Sequence, residues 1–472
     1  MKSWPLIIIG AALLAGCARF KSQPLVPEQS AARLEARRLD DPGLKKFLEQ
    51  NLGHELPDWP LKSWDLPALT LAAFYFNPTL EVARAQWRVT QAGEKTAGGR
   101  PNPTLTLTPG YNSTTLIPTP WSPAVNFDLP LETMGKRAKR IAEARELSNS
   151  ARYSVITTAW QVRSRVRGNL VDLKLAARRA DLLQAQFAAQ QQIIKLLQQR
   201  FDAGEISRPE LTTAQMALNR SQLDLADAQA RRVEARSLLA GALGLSLAAL
   251  DGVQLEFDLS GPGATDLTTT AARYLALLGR ADILGALADY AAAEAAVRLE
   301  VAKQYPDVHL NPGYQYDQAD NKWTLGISFE LPILNQNQGP IAEAEARRKL
   351  SAAKFIELQS QVIGEIDRAV AGWHVAQDQL KIGQALLAAQ SRQQKSMQAQ
   401  LAAGAADRLD LLSSQLELGS TSLLQLEGEA QAQRALGALE DALQNPLTMS
   451  DAVIQETQRN PRENKPISKH EP

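Results

Sequence analysis

The sequence predicts a mainly α chain with a small membrane β part, laid out as a tandem repeat of helix, strand, strand, long helix, turn and helix. Three observations predict it. The segment "FDLPLETMGKRAKRIAEAR" from Phe127 is nearly rewritten from Phe329 as "FELPILNQNQGPIAEAEAR", and self-similarity at a fixed period marks a repeated structural unit. A proline-free stretch of roughly 65 residues with helical periodicity follows each copy. Four shorter stretches alternate polar and apolar residues, the pattern of strands with one wet and one greasy face.

Composition narrows the function classes. The 51 basic and 51 acidic residues cancel, which argues against a nucleic-acid partner, since a phosphate backbone is met by basic excess. Aromatics are only 6%, and Ala, Leu, Gln, Arg and Glu dominate after Gly135 and Gly339. That balance favours long helices and interhelical seams. His54, His309, His374 and His470 lie far apart, and no His/Cys/Asp set has metal-ligand spacing. No nucleophile elbow, phosphate loop or His-Glu metalloprotease helix occurs either. The chain therefore reads as a non-enzyme with no catalytic residue, no cofactor and no metal site.

Lys2 and the apolar run to Gly16 read as a signal peptide (1–16), too short to span a bilayer as a helix. Leu14-Ala15-Gly16-Cys17 resembles a lipobox, which implies cleavage before Cys17 and acylation, including palmitate, there. The plainer alternative is an ordinary secretory signal with a stray cysteine. Ala18 after the cysteine resembles lipoproteins sorted to the outer membrane. Residues 17–68 are polar and rich in proline. They read as an extended lipidated arm with one short helix around Leu44–Asn51.

Repeat 1 (69–250) opens with a helix from about Leu69, interrupted at Asn77-Pro78 and ended by Pro101 and Pro103. Strands follow at about 103–111 and 122–131, with Leu105, Leu107, Val125, Phe127 and Leu129 apolar between polar neighbours. A long helix then occupies 135–202, about 100 Å. A turn at "AGEISRPEL" leads into a helix over 209–243. Leu211, Leu218, Leu225 and Leu239 alternate there with Ala214, Ser221, Ala228, Ala235 and Ala242, a seam for close helix packing that Arg232 interrupts. The Gly261-Pro262-Gly263 linker precedes repeat 2 (265–446). This holds a helix from about Asp282 to Lys303, strands at about 307–316 and 322–333, a long helix over 340–402 and a helix over 407–443. Residues 447–472 form a polar tail without a packing pattern.

Strands of this length suit a tilted crossing of a bilayer, with lipid on one face and water on the other. Tyr111, Trp121, Tyr314, Tyr316 and Trp323 near the strand ends fit an interfacial girdle. Open edges in hydrocarbon cost several kcal/mol per unpaired group, and four strands are too few to close. Sister copies must complete the barrel: two would give about eight strands, and three about twelve with a lumen. A soluble sheet capping a coiled coil is the other reading. Pro109 and Pro312 fit only edges or bulges in either case.

The double repeat, "GKRAKRIAEA" after the second strand, "LNQNQGPIAEAEA" after the fourth, and the Ala-Gly turns before Glu210-Leu211 and Asp410-Leu411 resemble the TolC family of outer-membrane efflux proteins (outer membrane factors). The resemblance covers essentially the whole mature chain and is nearest to the heavy-metal-efflux, CzcC-like branch of RND systems. It implies a homotrimer forming a 12-stranded β-barrel on a 12-helix periplasmic coiled-coil tunnel. It also implies a lipid-anchored outer-membrane location in a Gram-negative cell, contact with outer-membrane lipid, and two partners, a periplasmic adaptor and an inner-membrane RND-type pump. The function implied is a passive efflux duct exporting heavy-metal cations. Multidrug efflux or type I secretion are alternatives on the same fold, and a non-pore coiled-coil lipoprotein is one of another class.

By the same resemblance, Asp410, Asp407 and Glu210 are candidate periplasmic gate residues. Ser413 stands where a second acidic ring would be. Gly204, Gly404, Arg200, Ser207, Leu211 and Leu411 are candidate tip-turn and adaptor-docking positions. Gly135 and Gly339 are expected at the strand–helix junctions, where glycine tolerates unusual backbone angles. A plainer role for Asp407 and Asp410 is that of helix-start carboxylates favoured by the macrodipole.

Overall fold

The structure, a computed structural model, describes residues 20–113, 119–260 and 268–447. The signal peptide, Cys17, the Gly261–Gly263 linker and the tail from 448 onward lie outside the described residues.

The arm before repeat 1 holds α1 (Pro27–Glu35) and α2 (Pro42–Leu52), where a single short helix is the sequence expectation. Asp41 caps α2 by accepting from the backbone N–H groups of Gly43 and Leu44, and Leu44 and Leu48 are buried beneath it. β1 (Ser63–Trp64), α3 (Leu66–Phe76) and α4 (Pro78–Ala97) follow. Asn77 ends one helix and caps the next, its side chain accepting from the Thr79 N–H. Strands β2 (Thr104–Thr108) and β3 (Ala124–Leu131) lead to the 67-residue α5 (Lys136–Asp202), and α6 (Arg208–Leu243) returns alongside it. β4 (Gln254–Leu255) pairs in parallel with β1.

Repeat 2 holds a helix that the pattern does not predict. A helix α7 (Thr269–Gly279) precedes α8 (Ala281–Ala302), its start capped by the Thr268 side chain on the Ala271 N–H. Between them Arg280 is buried and donates to the Ala442 carbonyl, Asp282 and Glu365. Next come β5 (Val308–Asp317), β6 (Asp320–Phe329), the 65-residue α9 (Gln338–Ala402) and α10 (Arg408–Leu443). The last strand stops at Phe329, short of 333, because its partner β5 begins at Val308, which lies opposite Phe329.

The two halves of the apolar core sit at the same level, midway along the long helices. One joins α2, α3, α5 and α6 around Leu69, Val166, Leu170 and Leu239. The other joins α7, α8, α9 and α10 around Ala272, Val362, Ile366 and Leu439. Of the predicted seam on α6, Leu211, Leu225, Leu239, Ala228, Ala235 and Ala242 are buried. No helix among the described residues is long and apolar enough to cross a membrane.

The sheet has the order β2-β3-β5-β6, antiparallel throughout. The two repeats thus meet at β3–β5, and β2 and β6 each have one unpaired edge. Pro312 lies in a central strand, and the sheet accommodates it by a local lapse. The β3–β5 register runs through Asn126↔Gly313 and resumes at Leu129↔Leu310, skipping Phe127 and Asp128.

Candidate functional site

The period-two segments place Leu105, Leu107, Val125, Phe127, Leu129, Leu325, Ile327 and Phe329 on one face of the sheet. In this chain that face is uncovered, with Trp323 80% exposed. The other face carries Thr104, Thr106, Asn126, Asp128, His309, Asn311, Gln315, Thr324 and Ser328. Polar side chains are linked across it: Asn311 Nδ2 donates to Ser328 Oγ at 2.9 Å, and His309 Nδ1 lies 2.8 Å from Asp128 Oδ1. Tyr314 packs on Trp323, and Tyr111 on Trp121, near the strand ends.

At the junctions, the chain passes from tilted strand to helix through a left-handed residue. In repeat 1 this is Gly135, with φ 66°, preceded by Met134, also left-handed with φ 52°. In repeat 2 it is Asn337, with φ 64°, while the predicted Gly339 lies inside α9. Asparagine tolerates this region, and here its side-chain amide donates to the Glu300 carbonyl at 2.7 Å, capping the end of α8. Lys136 Nζ and the Thr133 N–H both contact Asp307 Oδ1, joining the start of α5 to the start of β5.

At the far end, each long helix stops in the same way. The Glu205 N–H reaches the Arg200 carbonyl and the Gly204 N–H that of Phe201, while Ala405 and Gly404 repeat this on Gln400 and Leu401. These are paired Schellman turns, in which glycine supplies the left-handed residue. Gly204 and Gly404 have φ 77° and 72°. The next helices start differently. Ser207 makes no side-chain cap. Asp407 and Asp410 form a reciprocal capping box, Asp407 Oδ1 accepting from the Asp410 N–H at 2.8 Å and Asp410 Oδ2 from the Asp407 N–H at 3.0 Å.

Asp407 also joins the two tips, its Oδ2 lying 2.7 Å from Arg200 Nη2. The Asp410 N–H, and then Arg200, hold the Asp407 carboxyl below the usual carboxylate range. Asp410 and Glu210 remain exposed at the helix starts. Leu211 and Leu411 are placed differently from the docking expectation. They are 6% and 5% exposed, packed inside the hairpins because each is the first apolar residue of its helix seam. Arg408, Gln199 and Leu196, absent from the predicted set, line the cleft between the tips with Arg200. Their only sequence signal is nearness to the turn glycines, Arg408 lying four residues after Gly404 and Gln199 and Leu196 five and eight before Gly204. Among the described residues no group of three or more His, Cys, Asp or Glu residues could hold a metal ion.

A family model described as "Outer membrane efflux protein" matches residues 72–245 and 272–445, once per repeat. The cobalt-zinc-cadmium resistance protein CzcC of Cupriavidus metallidurans is 26% identical over 281 residues, 59% of this chain and 65% of that protein. About a third of that relative's length is therefore unaligned. Among solved structures, the outer-membrane channel OprN superposes with a TM-score of 0.67 at 18% identity, covering 90% of this chain and 98% of OprN. CusC, described in connection with transmembrane channel formation, superposes with a TM-score of 0.64 at 19% identity, covering 83% and 95%. At those identities the likeness establishes the fold.

Proposed function

The chain belongs to the outer membrane efflux protein family, and from that premise we propose that it is the passive outer-membrane duct of a tripartite efflux system. Three copies close a barrel of about twelve strands, the uncovered apolar face toward lipid and the polar face toward the lumen. Their long helices continue the lumen into the periplasm. The observation that carries this reading is the sheet itself: one greasy face, two unpaired edges, and direct continuity with helices of 67 and 65 residues. Unpaired edges in hydrocarbon demand partner strands, and sister copies supply them.

The tips meet a periplasmic adaptor, which couples the duct to an inner-membrane RND-type pump that supplies the energy. Gly204, Gly404, Arg200 and Ser207 form the docking surface, with Leu211 and Leu411 supporting it from within. Asp407, Asp410 and Glu210 line the closed end, where carboxylates from several copies attract cations. Cys17 carries the lipid anchor. The cargo is a heavy-metal cation, a reading supported by the similarity to the cobalt-zinc-cadmium resistance protein.

Light scattering on the detergent-extracted mature protein tests the assembly: a trimer mass is expected, and a monodisperse single chain overturns the duct. Deletion of the gene tests the cargo. Loss of zinc, cobalt or cadmium tolerance is expected; unchanged metal tolerance with lost drug tolerance overturns the metal assignment. Labelling with palmitate and its loss in Cys17→Ser tests the anchor.

A further inference from the structure

We propose that His309 and Asp128 form a weak, exchangeable binding station for first-row divalent cations on the barrel wall. The proposal rests on the duct reading, which turns the polar face of the sheet to the lumen. His309 Nδ1 lies 2.8 Å from Asp128 Oδ1. An ionised carboxylate only accepts, so Nδ1–H is the donor and the neutral ring carries its lone pair on Nε2. Nε2 makes no hydrogen bond among the described residues, and the two side chains are 38% and 41% exposed. A carboxylate behind an imidazole fixes the tautomer and orients the ring toward a metal.

The backbone explains why these two residues meet. His309 lies directly across from Pro130, whose side chain offers no polar group. The neighbouring polar side chain on that face of β3 is Asp128, at the lapse in the ladder opposite Asn311 and Pro312. Asn311 is engaged with Ser328, and Asp128 is left to the ring. Imidazole selects Zn²⁺, Cu²⁺ and Ni²⁺ over the oxygen-seeking Mg²⁺ and Ca²⁺. In a wide barrel the copies stand too far apart to share one ion, so each imidazole acts alone. Weak binding suits a wall that must also release what it holds.

The test is conductance of the reconstituted full-length protein in planar bilayers, with Zn²⁺ or Mg²⁺ added on the barrel side. Saturable reduction of conductance by Zn²⁺ but not Mg²⁺ is expected. His309→Gln should abolish it, and the isosteric Asp128→Asn should weaken Zn²⁺ binding about tenfold. The conductance of each variant without Zn²⁺ reports that its barrel has assembled. Equal block by Mg²⁺, or undiminished Zn²⁺ block in a conducting His309→Gln, overturns the station and leaves the duct standing. Absence of any conductance in the wild type overturns both.

Discussion

Arg163 Nη2 lies 2.8 Å from Glu440 Oε2, with the two side chains 2% and 0% exposed. The contact fastens α5 of repeat 1 to the end of α10 in repeat 2. Arg167 approaches the same carboxylate and donates to the Gln433 carbonyl, while the Leu447 N–H reaches Glu440 Oε1. Further down the same pair of helices, the rungs Arg179–Glu427 and Arg200–Asp407 are partly or largely open to water. The α5–α10 seam is therefore buried and ion-paired at the level of the core, but wet toward the tips.

Glu440→Gln should destabilise the protein by about 3–5 kcal/mol, the cost of leaving a buried charge without its partner. Asp441→Asn makes the contrast. Burial pushes the Asp441 carboxyl up, although Ser164 and Trp160 donate to it. A raised folded value means that ionisation opposes the fold as pH rises from the unfolded value through the folded one. Asp441→Asn should therefore be near neutral or stabilising at pH 7, with the difference from wild type shrinking in acid. Thermal unfolding of both variants against pH checks this.

At the tips, Asp407→Asn keeps a good capping residue but removes the charge that faces Arg200. The expected result is wider separation between spin labels at residues 205 and 406, and higher basal conductance. Because the Asp407 carboxyl is depressed, its contribution is complete above the unfolded carboxylate value of about 3.9 and is lost as pH falls below it. Between pH 7 and 5 the wild-type distance should not change on this account; only as pH falls through the depressed folded value, below the unfolded one, should it approach that of the variant. High salt should act in the same direction, since the pair is exposed.

The two faces of the sheet should respond oppositely to charge. Leu325→Arg, on the apolar face, should cost about 2–4 kcal/mol if that face meets the middle of the bilayer. Thr106→Arg, on the polar face, should leave assembly intact and alter only conductance. Recovery of heat-modifiable oligomer from outer membranes distinguishes them.

Gly437→Ala should destabilise although alanine is the better helix former by about 1 kcal/mol. A Cβ there would stand 2.1 Å from Arg167 Nη1 and displace a buried guanidinium. Gly168→Ala, with nothing within 4 Å of the added carbon, should raise the unfolding temperature. A matched pair of denaturation curves decides the sign.

Most of the helix and strand pattern was legible because each signal is local. Trp323, Leu325, Ile327 and Phe329 are two apart, and two apart in a strand means one face. Gly204 and Gly404 end long apolar-periodic runs, and the structure puts left-handed Schellman turns there. Other features were illegible for an equally specific reason. Gly339 is the expected junction residue because it is a glycine, yet the backbone places its left-handed residue two positions earlier, at Asn337, whose side chain the Glu300 carbonyl holds in place. Helix α7 carries no strong local signal, because so short a segment is stabilised chiefly by packing Ala272 and Ala276 in the cluster with Val362 and Ile366.

The internal duplication, the long helices with their turns and the two-faced strands were decided by the sequence alone, because periodicity and turn chemistry act between residues a few positions apart. Tertiary structure decided which leucines disappear inside the tips, that β3 pairs with β5 to join the repeats, and that Arg163 finds Glu440 and His309 finds Asp128. Those partners are far apart in the chain, and only the packing of helix on helix and strand on strand brings their charges and lone pairs within reach.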